Sequence, residues 1–194
     1  MNHTLIKQKP MLKKNWMIAA LLFCGLAAQA QSKYFTKTGK IEFFSKAPLE
    51  DIEARNKTVA AILDTQTGAL QFSVLMKGFE FPKALMQEHF NENYVESDQY
   101  PKAEFKGSIS NNAGIDYAKD GTYPVQVSGK LTIHGVTKDL NTTGTLKINS
   151  GTIDASSVFT VLASDYKIKI PAVVKDKVSN TIKVTVDCRL ELLK

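Results

Sequence analysis

Few residues of this chain suit catalysis or covalent cross-linking. Its 194 residues include two cysteines, three histidines and one tryptophan. Cys24 lies in an apolar N-terminal segment that we expect to be removed, which leaves Cys188 without a disulfide partner. The sequence also has no glycine-rich phosphate loop after a strand and no Gly-x-Ser-x-Gly motif. These absences argue against disulfide-stapled folds, nucleotide-binding enzymes and serine hydrolases.

The remaining histidines and the thiol do not form a catalytic or metal-binding set. His134 falls at the tip of a predicted hairpin, on its solvent-facing side, where turn propensity explains it. His89 falls on the apolar face of a predicted helix, where a packing role is the simpler interpretation. Cys188 faces the apolar side of its strand by parity, which favours inert core over a reactive thiol. We therefore expect no metal, no cofactor and no catalytic residues, and so no enzyme.

The chain is basic mainly because of its first thirty residues. Four of the 25 basic residues and none of the 19 acidic residues lie there, which leaves 21 basic against 19 acidic residues in the remainder. That remainder has no basic cluster. Nucleic acid is therefore not expected as a partner.

Residues 1–30 have the pattern of a secretory signal peptide. Four lysines precede an apolar run over residues 16–28, which is too short for a comfortable membrane span, and Ala28-Gln29-Ala30 fits the small-x-small cleavage pattern. We expect cleavage after Ala30, a single domain over residues 31–194, and a periplasmic or secreted protein. An uncleaved anchor is the alternative. A lipoprotein signal at Cys24 is disfavoured because Phe23 stands where a small residue is expected.

Residues 127–148 give the clearest structural pattern. Apolar and polar residues alternate on both sides of His134-Gly135, as expected for a long antiparallel hairpin with a tight turn. Similar alternation around residues 41–45, 70–76, 103–109, 153–161 and 182–192 predicts further strands, and residues 165–171 predict a short one. Residues 81–94 predict one short amphipathic helix. Residues 46–56 are polar and predict a loop with one helical turn.

Each long strand is apolar on one face, so the sheet must be antiparallel and close on itself. The sequence therefore predicts an all-β fold, an antiparallel eight-stranded barrel with one short helix, with a β-sandwich as the alternative. Three glycines, Gly107, Gly129 and Gly144, take inward positions, where they leave space or allow bends.

Apolar residues on the inner face and the helix are the candidate ligand-lining set, and an ordinary filled core is the alternative for each. On the strands these are Phe43, Phe72, Val74, Met76, Phe105, Leu131, Ile133, Phe159 and Val161, and on the helix Phe81, Leu85, Met86 and Phe90.

Two motifs carry a family resemblance. The run 129–138, Gly-Lys-Leu-Thr-Ile-His-Gly-Val-Thr-Lys, resembles the signature hairpin of the YceI-like family. Upstream, Leu85-Met86 and His89-Phe90 followed by Tyr100-Pro-Lys-Ala-Glu-Phe105 are similar to the family's helix and strand start. The resemblance implies a lipocalin-like barrel, secreted or periplasmic, whose long apolar tunnel binds a polyisoprenoid.

The ligand that the resemblance implies is an isoprenoid or similar long amphiphile. Burying one five-carbon unit from water contributes roughly 3–4 kcal/mol, yet transfer from a membrane is close to neutral, so tunnel length and mouth chemistry must set selectivity. Arg55, Lys57, Lys83 and His89 are weak candidates for contacting its head group, with solvated surface as the alternative. A structural envelope protein with a filled barrel is the competing hypothesis, and a homodimer is left open.

Overall fold

The computed structural model describes residues 32–193, which form eight strands, one α-helix and several single helical turns. The strands are β1 Lys33–Lys46, β2 Asp51–Asp64, β3 Ala69–Leu75, β4 Lys102–Ile109, β5 Gly121–Ile133, β6 Val136–Asn149, β7 Thr152–Leu162 and β8 Thr181–Leu192, and the helix is α1 Ala84–His89. The signal peptide predicted for residues 1–30 lies outside the described residues.

The strands close into an up-and-down barrel. Each strand pairs antiparallel with the next along the chain, and β8 pairs with β1. The predicted eight-stranded antiparallel barrel with one short helix is thereby confirmed. Because every strand reverses direction, the β1–β2, β3–β4, β5–β6 and β7–β8 connections share one end, which we call the upper end. The other three connections share the lower end.

The predicted loop over residues 46–56 is wrong, because β2 already begins at Asp51 and only residues 47–50 form the turn. The polar residues of this segment had indicated a loop, but they lie on a strand. Asn56 occupies a fully buried position opposite Ile41, beside the register shift between Gly39 and Ile41. Its amide donates to Leu75 O at 2.9 Å and accepts from Thr58 N at 2.9 Å, so the buried polar group is satisfied.

The β5–β6 hairpin forms as expected, with continuous pairing from Gly121↔Ile148 to Ile133↔Val136. Its two turn residues both take left-handed backbone conformations, with φ of 51° at His134 and 70° at Gly135. Such angles define the primed turns that suit the twist of a hairpin. A Cβ on Gly135 would also lie 2.6 Å from the Tyr100 ring, so both the backbone conformation and the space at this position require glycine.

The two long upper connections contain the helical turns. In the β3–β4 connection α1 continues into a π-helical turn, Phe90–Tyr94. In the β7–β8 connection the strand predicted for residues 165–171 is absent. A 3₁₀ turn, Ala163–Tyr166, is followed there by chain without regular secondary structure and a second 3₁₀ turn, Ala172–Val174. No helix among residues 32–193 is long and apolar enough to cross a bilayer.

Candidate functional site

The barrel interior is apolar and nearly filled. It contains a cavity of about 100 Å³. Typical small-molecule sites measure about 300–1,000 Å³. Five of the thirteen predicted lining residues border the cavity: Phe72, Val74, Phe105, Leu131 and Phe159.

Several cavity-lining residues were missing from the predicted set. They include Leu63, Leu70, Val127, Leu140, Leu146 and Leu190. Apart from Leu63 on β2, all lie at inward positions of strands whose alternation was visible in the sequence. Weighting every inward position equally, rather than favouring aromatic residues, would have identified them.

The barrel wall is incompletely paired between β6 and β7. Hydrogen-bonded pairing joins them only from Gly144↔Ser157 to Asn149↔Thr152. Residues 136–143 of β6 and 158–162 of β7 have no pairing across this gap, which we call the seam. Leu140 and Phe159 face the interior beside the seam, line the cavity and are only half-buried. The cavity therefore reaches a part of the wall where two neighbouring strands are not hydrogen-bonded.

Hydrogen bonds bound the seam at both ends. At its lower end Ser157 Oγ donates to Thr143 O at 2.7 Å. At its upper end His134 Nδ1 lies 3.0 Å from Tyr166 O, and because a carbonyl oxygen only accepts, the nitrogen donates. These contacts fix the strands where pairing ends.

His134 connects three upper connections. Besides its bond to Tyr166 in the β7–β8 connection, its Nε2 lies 2.6 Å from the Glu96 carboxylate in the β3–β4 connection. The Tyr100 ring packs edge-on at 4.4 Å. The His134 side chain is only 10% exposed, so the predicted solvent-facing position of His134 is wrong. The two motifs that carry the family resemblance thus contact one another at the top of the barrel.

An aromatic cluster closes the barrel beneath α1. Phe90 packs against Phe43, Phe79 and Phe81 at ring-centroid distances of 5.4, 5.7 and 5.1 Å. Three of these four rings belong to the predicted set. Phe79 was missed because it precedes the helix, outside any periodic pattern. The cluster caps the upper core, whose buried members include Val74 and Met76.

The other predicted lining residues have different positions. A second buried cluster of the core includes Leu63, Leu131 and Leu190. Ile133 packs against both this cluster and the upper core, and Val161 packs against this cluster. Met86 is half-buried. Leu85 is 60% exposed, so its assignment to a ligand-lining surface is wrong. The helix is short and turns this side chain to solvent.

The predicted head-group candidates lie outside the cavity. Arg55 pairs with Glu42 at 3.0 Å on the outer wall, Lys57 pairs with Glu80 at 3.2 Å, and Lys83 pairs with Glu50 at 2.9 Å. His89 is exposed rather than on an apolar face. Each cation has its own carboxylate or lies in water, so the structure does not bring these four residues together.

The single thiol is deeply buried. Cys188 has no exposed surface, and its Sγ lies against Gly39, where a Cβ would come within 2.5 Å of it. Burial raises the pKa of the Cys188 thiol to about 11. The neutral thiol is a packing residue. Among residues 32–193 no group of three or more histidine, cysteine or carboxylate side chains is placed to hold a metal ion.

An up-and-down barrel with an apolar interior and a short helical connection over one end defines the lipocalin-like class. The model of the YceI-like domain family matches residues 29–190. The chain therefore belongs to the YceI-like domain family, as the motifs predicted. A comparison with curated proteins gives no match.

Solved structures share the fold at low identity. A polyisoprenoid binding domain from Saccharophagus degradans, implicated in plant cell wall breakdown, is similar with a TM-score of 0.73 and 16% identity, covering 84% of this chain and 99% of that chain. BcnA of Burkholderia cenocepacia is similar with a TM-score of 0.65 and 19% identity, covering 78% and 94%. The YCEI protein of Campylobacter jejuni gives 0.54 and 16%, covering 69% and 81%.

Proposed function

We propose that this protein is a non-catalytic carrier that holds an isoprenoid or similar long amphiphile inside the barrel. The observation that carries the proposal is the apolar cavity that reaches the β6–β7 seam. Membership of the YceI-like domain family supports it, as does the similarity to a polyisoprenoid binding domain.

The proposal requires the barrel to expand when it is loaded. A cavity of about 100 Å³ is too small for a long chain. The seam allows this expansion, because strands that share no cross-strand hydrogen bonds can separate without breaking any hydrogen bonds. Half-buried Leu140 and Phe159 would then move apart around the chain. We further propose that residues 1–30 direct export, so the intact mass of the exported protein should correspond to a chain that begins at Gln31.

The small volume of the interior cavity also favours a second function. If the interior is simply a filled core, the protein has a structural or interaction role in the envelope and binds no lipid. A measurement of polyprenol binding by the barrel distinguishes the two hypotheses. The purified barrel is mixed with a long-chain polyprenol in mild detergent and examined by native mass spectrometry.

A matched pair of variants locates the bound chain. Ala155 is buried and lines the cavity, so Ala155→Leu places three more carbon atoms in the small space that a chain must enter. Ala118 is exposed in the β4–β5 connection, and Ala118→Leu is the control. The carrier function predicts loading of the wild type and of the control, with at least tenfold less in Ala155→Leu. No loading of the wild type supports the filled barrel.

A further inference from the structure

A second concave surface lies outside the barrel at its upper end. The β1–β2 turn and the β7–β8 connection enclose a groove of about 1,070 Å³, ten times the volume of the interior cavity. The backbone N–H of Leu49 donates to Asp176 O at 2.8 Å, and Ser179 N donates to Ser45 Oγ at 3.0 Å. These bonds hold the two walls of the groove together. The groove is therefore part of the fold and not a gap between loose loops.

The groove is lined by cations and by no anion. Lys46, Lys167, Lys169 and Lys175 contribute to its surface, and no aspartate or glutamate does. Within residues 32–193 none of the four lysines has a carboxylate within 4.0 Å, whereas some cations of the outer wall, such as Arg55, are paired. Unpaired lysines that converge on one concave surface attract anions.

Charge is segregated between the two long upper connections. Residues 163–180 contain four lysines and two aspartates, whereas residues 76–101 contain two lysines and five carboxylates. A planar anionic surface would attract the β7–β8 side and repel the helical side. The molecule would then meet such a surface in one orientation, with the groove facing it.

The same connection exposes apolar residues between its lysines. Val173 is 91% exposed, the highest value among the large hydrophobic residues in the described part of the chain, and it lies between Lys169 and Lys175. Leu49, in the β1–β2 turn, is 70% exposed. Apolar side chains flanked by lysines are typical of segments that lie in the headgroup region of a bilayer.

One residue connects the groove to the interior. Ile168 lines the groove and also packs against both core clusters of the barrel. The preceding residue, Lys167, has a left-handed backbone with φ of 60°, which turns the chain sharply at this point. The groove thus lies directly against the upper end of the barrel core.

We propose that this groove docks the protein on an anionic lipid bilayer, with Val173 among the headgroups and the groove lysines against their phosphates. The inference rests on the carrier function proposed above, since it supplies the surface from which a lipid would be collected. It commits to a membrane, because a free anion would explain the lysines but not exposed Val173.

The test is co-sedimentation with phosphatidylcholine vesicles that contain or lack phosphatidylglycerol, using the chain from residue 31, because residues 33–192 close the barrel by themselves. Each lysine near an anionic surface strengthens binding roughly fivefold. The triple variant Lys167→Gln, Lys169→Gln and Lys175→Gln should bind anionic vesicles roughly a hundredfold more weakly. Val173→Asn should bind roughly tenfold more weakly.

The control removes three exposed lysines from the lower half of the barrel, Lys33, Lys119 and Lys147. It should bind like the wild type, and thermal unfolding should show that every variant is folded. Wild-type binding that requires phosphatidylglycerol, weakens with added salt and depends on the groove lysines supports the proposal. Equal losses in the two triple variants, or none in either, overturn it, as does binding of inorganic phosphate with no vesicle binding.

The carrier function is tested by loading polyprenol from detergent, with no bilayer present. The result of that experiment is therefore independent of vesicle binding. A groove variant that loads normally but does not bind vesicles supports both proposals. Lysine-dependent vesicle binding by a wild type that never loads overturns the carrier and leaves a membrane-docking barrel. Normal loading without vesicle binding overturns only the docking surface.

Discussion

At the scale of single residues, the inward glycines serve a different purpose from the one their positions suggested. Gly107 and Gly129 face each other across β4 and β5. A Cβ on Gly129 would lie 2.6 Å from Gly107 Cα and 2.7 Å from the edge of the Phe105 ring. The expectation that these two glycines leave space is wrong, because the Phe105 ring lies over them. They allow a close approach that places this ring in the core.

We predict that Gly129→Ala lowers the free energy of unfolding by about 1–3 kcal/mol, because the new methyl group must displace backbone or the Phe105 ring. Urea denaturation followed by circular dichroism measures the change. Gly114→Ala is the matched control, since a Cβ there meets nothing within 4 Å, and it should stay within about 0.5 kcal/mol of the wild type. Equal midpoints for the two variants would contradict the close approach.

At the scale of elements, the β3–β4 connection combines an apolar underside with an exposed helix. Phe90 belongs to the aromatic cluster, whereas Leu85, five residues earlier, is in solvent. The helix is too short to be stable by itself. Packing of the rings, rather than helix propensity, holds the connection over the barrel.

Phe90→Ala should therefore lower the free energy of unfolding by about 2–4 kcal/mol, through lost ring contacts and an unfilled cavity. Leu85→Ala, in the same connection, should change it by less than about 0.5 kcal/mol. Guanidinium denaturation of both variants gives the comparison. If Leu85→Ala destabilises as much as Phe90→Ala, the helix packs on its other face and the arrangement of the cluster is wrong.

The sequence predicted the strands with clean alternation and missed those whose pattern is interrupted. The β5–β6 hairpin follows from its period of two and its turn residues. The first half of β2 was hidden by Asn56, a buried amide whose partners lie on β3 and in its own strand. His134 was misjudged similarly, because Glu96 and Tyr166 lie more than thirty residues away in sequence. Local pattern reveals which face a residue occupies, and only the fold reveals what it meets there.

At the scale of the whole molecule, buried weak acids set the alkaline limit of stability. Burial raises the pKa of Cys188 from 9.0 to about 11 and that of Tyr117 from 10.0 to about 12. Above pH 9 the unfolded chain loses these protons before the folded chain does. The native state then binds more protons than the unfolded state, so stability falls as the pH rises.

We predict that the free energy of unfolding decreases between pH 9 and pH 11, and that Cys188 contributes about 2 kcal/mol of the decrease. Urea denaturation at several pH values gives the profile. Cys188→Ala removes the titrating group, so its profile should fall less steeply over this interval, even though the loss of packing lowers it throughout. Parallel profiles for the two proteins would contradict the shifted pKa.

The pairing of β8 with β1 also determines how the chain must fold. Tyr34 pairs with Leu192, so strands from opposite ends of the described chain meet to close the wall. Such a contact incurs a large loop-closure entropy and forms late. Until β8 pairs with β1 and β7, these two strands are open sheet edges that promote aggregation. Refolding should therefore be slow and sensitive to protein concentration, and the last strand made is the one that completes the wall.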